Sequence, residues 1–340
     1  MRSSGISSVC STFGVGALLL AGCSNPQSMT GVAGPANALP ATATSRIAAL
    51  HARSHSWMLP EAKKAHTLLY VTDNFEGNVF VLRYPNIKLV GTLTGFYDLN
   101  GICSDSKGNV WIPELDDVLE YAHGGTTPIT TLDDSNQFGE DCSVNPKTGD
   151  LAVMNYSATN STTGSVLVFP QAQGSPQTYT DPQMYYYYSV AYDNAGNLYV
   201  DGTVAQSGGF QFAQLSAGAS SFTNYALNLP YSWPGGVAWD GQYITVEDAN
   251  SGTVYQLTLS GSDVTKVGST SLNGLRDITQ YFILLKHPKK THQGIQLIAA
   301  GSETPAIGVY NYPAGGSPIE TIGSYVNPFV APEGATLSYK

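Results

Sequence analysis

Charge is scarce in this chain and basic charge scarcest: 12% of residues are charged, with 15 Lys and Arg against 25 Asp and Glu, a net of −10. Phosphate binding needs a basic face, so nucleic acid is not an expected partner. The chain also lacks a Gly-x-Ser-x-Gly elbow, a phosphate loop, Cys-x-x-Cys and His-Glu-x-x-His. Serine hydrolase, nucleotide enzyme and zinc protease are therefore unsupported. What is abundant is the material of short strands and tight turns: 42% hydrophobic residues, 36 Gly, 19 Pro and 21 Tyr. At 340 residues that composition can bury a large core.

One pattern recurs. Asn100 to Ile112 reads NGICSDSKGNVWI, a short apolar strand, an Asp-x-x-Gly-Asn turn and a second strand. CSVNPKTGDLAVM from Cys142, SVAYDNAGNLYVD from Ser189 and GGVAWDGQYITVE from Gly235 match it, with weaker copies from Ile278 and Gly334. The turn positions Asp105, Asn145, Asp193 and Asp240 stand 40, 48 and 47 residues apart, a spacing that predicts one four-stranded propeller blade per repeat.

Six blades follow. LLYVTD, NVFVLRYP and KLVGTL supply only three strands of the first. Its missing innermost strand is expected from the other end of the chain, GATLSY at Gly334 to Tyr339, because pairing first and last strands closes the ring. Blade 2 is expected over Gly101–Leu132, blade 3 from Asp141 to about Thr180, blade 4 over Ser189–Leu227, blade 5 over Gly236–Leu272 and blade 6 over Asp277–Ile322. Outer hairpins repeat an aromatic before a Gly-Ser-Pro or Gly-Thr-Thr-Pro turn, as in EYAHGGTTP, VFPQAQGSP and NYPAGGSP. The fold class is thus all-β, a six-bladed propeller over 66–340. These repeats resemble those of NHL-repeat propellers and the neighbouring gluconolactonase-like group.

The N-terminus reads as an address. Arg2 gives a positive start, Val15 to Ala21 an apolar run too short for a transmembrane helix, and Leu20-Ala21-Gly22-Cys23 a small-residue cleavage site. LAGC resembles the lipobox of bacterial lipoproteins. The resemblance implies a signal peptide over 1–22, acylation of Cys23 and, with Ser24 rather than Asp next, outer-membrane sorting in a Gram-negative envelope. Residues 23–65, rich in Ala, Ser, Thr and Pro, then form a flexible tether, in which SRIAALHARSHSWMLPEAKK has the character of a helical turn or of a segment docking Trp57 and Met58 onto the propeller. Cys103 and Cys142 fall on what are expected to be neighbouring innermost strands, where a disulfide and a pair of buried thiols are both compatible with the pattern.

Alternating strand direction puts the loops entering the innermost strands, and those leaving the second strands, at one channel mouth. The entering positions are Asn100, Glu140, Tyr188, Gly235, Arg276 and Glu333. The exits carry Asp73, Glu114, Asn155, Asp201, Asp248 and Glu303. Such oxygens suit Ca²⁺ or another divalent cation, or a cationic organic ligand; polar strand ends that merely keep the face soluble are the simpler alternative. The gluconolactonase-like resemblance implies a cation held by Glu333 and Asn100, with Asp73 or Asp201 as base for lactone or ester hydrolysis. Tyr188 and Gly235 stand where that group offers Asn or Asp, so only part of the constellation is present.

Tyr185 to Tyr188, Tyr231 and Trp233 are expected at the same mouth, where rings either stack on a sugar or flat ligand or pack between blades. A basic hairpin, LKHPKKTHQG with Lys286, Lys289 and Lys290, belongs to the opposite face. The reading is an envelope-anchored, monomeric propeller that binds a protein, small molecule or glycan without catalysis. A divalent-metal lactonase or esterase is the alternative.

Overall fold

The computed structural model describes residues 55–340 apart from 135–136, 159–162, 206–207, 279, 286–293 and 324–328. The signal segment, Cys23, most of the tether and the basic hairpin lie outside the described residues.

The repeated turn is built by its first side chain. Asp105 Oδ1 accepts the N–H groups of Lys107 and Asn109 at 2.9 and 2.8 Å, and Asp193 Oδ1 those of Ala195 and Asn197 at 2.7 and 2.9 Å. Asn145 and Asp240 do the same for Lys147 and Gln242. A short carboxylate or amide bonding backbone two residues on is what makes Asp and Asn turn formers. The glycines that follow, Gly108 and Gly196, take φ of +83° and +85°, which a side chain would resist.

Each turn joins the two inner strands of an antiparallel four-stranded sheet. Six antiparallel sheets occur among the described residues, five of four strands and one of five. Blade 2 runs Cys103–Ser104, Val110–Pro113, Asp117–Tyr121 and Pro128–Asp133 from the channel outward, and blade 3 runs Gln137–Val144, Leu151–Ala158, Ser165–Phe169 and Gln177–Tyr179. Blade 4 holds Tyr186–Tyr192, Leu198–Ala205, Gly208–Leu215 and Thr223–Tyr225, and blade 5 holds Pro234–Trp239, Ile244–Asp248, Thr253–Ser260 and Asp263–Ser271. Blade 6 comprises Tyr281–Leu284, Ile295–Gly301, Ala306–Tyr312 and Glu320–Gly323.

Blade 1 closes the ring as its strand count requires. Pro332–Tyr339 pairs antiparallel with Thr67–Asp73, Leu337 opposite Leu69, inside Asn78–Arg83 and Lys88–Thr94. The end of the tether segment joins it. Trp57–Met58 adds a fifth strand on Lys88–Thr94, and Ala62–Lys64 forms a 3₁₀ turn, so the packed body starts before residue 66.

Burial follows the strand period of two. Along Thr67–Asp73 every residue is buried, Leu68 and Tyr70 facing blade 2, Leu69 and Val71 facing blade 6. The apolar core accordingly divides into six clusters, one at each interface between neighbouring blades. Cys103 and Cys142 are joined by a disulfide across the interface of blades 2 and 3, with Cα atoms 5.6 Å apart.

One boundary differs from the sequence expectation. The residue of blade 6 level with Gly101 is Gln280, just before the innermost strand Tyr281–Leu284, and not Asp277. Arg276 therefore lies outside the ring of mouth positions and is exposed. Blade 6 has no Asp-x-x-Gly turn to fix the alignment, and its hydrophobic pattern alone left a shift of three residues undetected.

Candidate functional site: the channel and its mouth

At the centre of the ring a polar hub ties all six blades together. Asp141 of blade 3 accepts from Ser189 Oγ at 2.7 Å and Val190 N at 3.1 Å in blade 4, and from Gln280 Nε2 at 2.7 Å in blade 6. Its own strand adds Cys142 N at 2.8 Å. Gln280 Oε1 accepts from Ile102 N of blade 2 at 3.2 Å and Ala335 N of blade 1 at 3.1 Å, while Ser189 Oγ accepts from Val237 N of blade 5 at 2.9 Å. Burial pushes the Asp141 carboxyl up to about 7 despite these donors.

Two glycines make room for the hub. A Cβ on Gly101 would strike the Asp141 carboxylate and the Glu140 carbonyl, and one on Gly334 would strike the Asn100 carbonyl and Gln280 Oε1. The Asn-Gly and Glu-Gly pairs at 100–101 and 333–334 thus have a packing reason to be there.

One residue above the hub the chemistry changes. Glu140 is 8% exposed, and its carboxyl is held well above the usual range by burial and by the neighbouring charges of Asp98, Glu333 and Asp141. Asp98 is raised by burial too, opposed by a hydrogen bond from Asn74. Asn74 Nδ2 also donates to Asn100 Oδ1 at 3.4 Å, while the buried Asn100 Nδ2 has no partner. Glu140, Glu333 and Asn100 are therefore brought together as expected of mouth positions. Asp98 joins them from the loop before blade 2, and its only sequence signal was its place two residues ahead of Asn100.

The other acidic candidates have separate occupations. Asp73 accepts the N–H groups of Val330, Ala331 and Glu76, fixing the loop that leads to the last strand. Asp248 accepts from Ser232 Oγ at 2.7 Å and Trp233 N at 3.1 Å, which sets the position of that indole. Asp201 is fully buried and raised well above the usual range, first by desolvation, beside Tyr231 and the buried Glu247. Glu114 is pushed up to about 7, chiefly by burial. Asn155 is buried beside Asp134, which burial raises to about 8, and Glu303 is exposed.

Among the described residues no three His, Cys, Asp or Glu side chains are arranged to hold a metal ion. Of the set implied by the gluconolactonase-like resemblance, Glu333 and Asn100 come together, Tyr188 and Gly235 offer no carboxylate, and Asp73, one of the two candidate bases, accepts backbone N–H groups.

Facing the acids stands an arc of half-buried rings. Tyr186 stacks on Tyr156 at 4.2 Å and 7°, Tyr188 meets Tyr156 edge-on at 5.4 Å, and Trp233 meets Tyr188 edge-on at 5.8 Å. Glu140 is close enough for its charge to be felt by the hydroxyls of Tyr156 and Tyr188. Tyr231 is different: its ring packs on Phe210 at 3.7 Å and its hydroxyl donates to the Glu247 carbonyl, a wedge between blades 4 and 5. Tyr187 is wholly core, its hydroxyl accepting from Asp181 N at 2.6 Å. Tyr156, which sequence reading passed over, came into the arc from the end of a second strand.

No protein-family profile and no curated protein matches this sequence. Solved structures do. A chain of a nidogen/laminin complex aligns with TM-score 0.62 and 12% identity, covering 80% of this chain and 98% of that one. A protein of unknown function from Bacteroides caccae gives 0.59 and 11%, covering 81% and 100%, and hydrazine synthase from Kuenenia stuttgartiensis gives 0.56 and 14%, covering 76% and 83%. At such identities the likeness is one of fold: this chain is a six-bladed β-propeller.

Proposed function

We propose that the propeller is a binding module that captures a small cationic organic ligand at its channel mouth, without chemistry. The observation that carries this is the juxtaposition of the Glu140, Asp98 and Glu333 acids with the half-buried rings of Tyr156, Tyr188 and Trp233. A cation near an aromatic face and a carboxylate gains from both, by about 1 to 2 kcal/mol per well-desolvated ring. The same proposal includes a lipid anchor at Cys23 in the cell envelope, supported by the lipobox-like LAGC at 20–23. Likeness of its turn repeats to NHL-repeat and gluconolactonase-like propellers belongs to it as well.

The test is a thermal melt in choline, in spermidine, and in Ca²⁺, Mn²⁺ or Zn²⁺. Either amine should raise the midpoint, and Tyr188→Ala or Glu140→Gln should abolish the rise, since a ligand at a hundred times its Kd adds roughly 2.7 kcal/mol. A rise with a metal alone, removed by Glu333→Gln, would replace this reading by the lactonase or esterase one. For the anchor, Cys23→Ser should move the protein from the membrane fraction to the soluble one.

A further inference from the structure

We infer that two clefts on the face opposite the mouth, one between blades 3 and 4 and one between blades 4 and 5, are twin binding sites for neutral saccharides. The first has a volume of about 660 Å³ and the second about 390 Å³, both in the range of small-ligand pockets.

The two are built from repeat-equivalent residues. Tyr192 and Trp239 each immediately precede a turn aspartate, Asp193 and Asp240, and pair with Leu198 and Ile244 on the next strand. Tyr179 and Tyr225 hold matching places on the outermost strands, opposite Val166 and Phe212. Each cleft therefore sets an inner-strand ring of one blade against an outer-strand tyrosine and turn Asx residue of the blade before: Tyr192, Tyr179 and Asn145 in one, Trp239, Tyr225 and Asp193 in the other. A packing gap need not repeat its chemistry in this way.

The lining identifies the class of ligand. Tyr179, Tyr192 and Trp239 are half-buried, so each exposes part of a ring while the rest is held by the core. Around them stand neutral or acidic hydrogen-bonding groups, with no Lys or Arg among the described lining residues. Anionic ligands have nothing to pair with there, whereas the C–H face of a pyranose stacks on a ring and its hydroxyls both donate and accept. In the second cleft the polar floor is already ordered. Tyr225 Oη donates to Gln214 Oε1 at 2.9 Å, Gln214 Nε2 to Tyr199 Oη at 3.1 Å, and Tyr199 Oη to Asp193 Oδ2 at 3.1 Å. A site whose groups are fixed before binding spends less of the interaction on ordering them.

The experiment is saturation-transfer NMR on the soluble protein with free glucose, galactose and N-acetylglucosamine. Transfer to the ring protons of at least one sugar is expected. Trp239→Ala and Tyr192→Ala should each remove about half of it and the double variant all of it, while Tyr188→Ala at the mouth leaves it unchanged. Should the ring variants unfold, Gln242→Arg and Gln177→Arg crowd the same clefts from exposed rim positions and should act alike. The inference is overturned by no transfer from any of the three sugars, by transfer that survives the double variant or both arginine variants, or by transfer that Tyr188→Ala removes. That last result would move the sugar to the mouth and leave the mouth proposal standing.

Discussion

Asp141 and Glu140 are neighbours in sequence, both buried acids at the channel, and their circumstances are opposite. Asp141 receives four hydrogen bonds from three blades and serves as a structural rivet. Glu140 meets the like charges of Asp98 and Glu333 and a wall of rings. A satisfied buried carboxylate holds a fold together, whereas one crowded by like charge works against it.

Variants should separate the two regions by size of effect. Gln280→Ala orphans Ile102 N, Ala335 N and one side of Asp141 at once, and should cost about 4 kcal/mol in a denaturant titration, at 1 to 3 kcal/mol per stranded group. A loss below about 1 kcal/mol would show that water replaces the hub.

Nearly as large is the response to pH. Glu114 and Asp141 are pushed up to about 7 and Asp134 to about 8, while unfolded carboxyls titrate near 4. The folded state thus binds more protons than the unfolded one in this window. The stability these groups contribute is complete below about pH 4 and is lost as pH rises through 7 to 8. The midpoint of melting should be higher at pH 5 than at pH 8.5, and an unchanged or reversed order would show that the buried acids are hydrated or ion-paired in solution.

Opening the Cys103–Cys142 bridge by Cys103→Ser with Cys142→Ser should cost up to about 4 kcal/mol, from the entropy of a chain loop spanning 39 residues. Gly101→Ala comes next at about 2 kcal/mol, because its methyl must displace the Asp141 carboxylate. At the mouth the sign reverses. Glu140→Gln replaces a buried acid whose ionised form is opposed by burial and by the charges of Asp98 and Glu333, and should raise the melting midpoint slightly at pH 8; a lowered midpoint would assign Glu140 to the structural hub. Trp233→Ala, which truncates a half-buried ring at the edge of the arc, should shift the melt least of all.

The repeated Asp-x-x-Gly turn was readable because its chemistry is local: Asp105 and Asp193 bond backbone two and four residues ahead, so the signal lies within one short window. Ring closure was readable for a related reason, since an incomplete first blade and a spare final strand announce each other. The hub was not. Gln280 meets Ile102 across 178 residues and Asp141 across 139, and nothing near Gln280 in sequence marks it out. The mouth was half readable. Strand counting put Glu140, Glu333 and Asn100 at one end, but it could not show that Asp73 and Asp248 spend their carboxylates on loops, or that Tyr231 is a wedge while Tyr156 lines the arc.

By itself, then, the sequence determined the number of blades, their order and their closure, because period-two burial and turn chemistry act between residues close along the chain. The tertiary structure alone decided which polar groups at the channel are tied into the hub and its loops and which are gathered with like charges and rings at the mouth. That outcome depends on distances between different blades, and a residue's hydrogen-bonding partners there are set by the curvature of the whole ring.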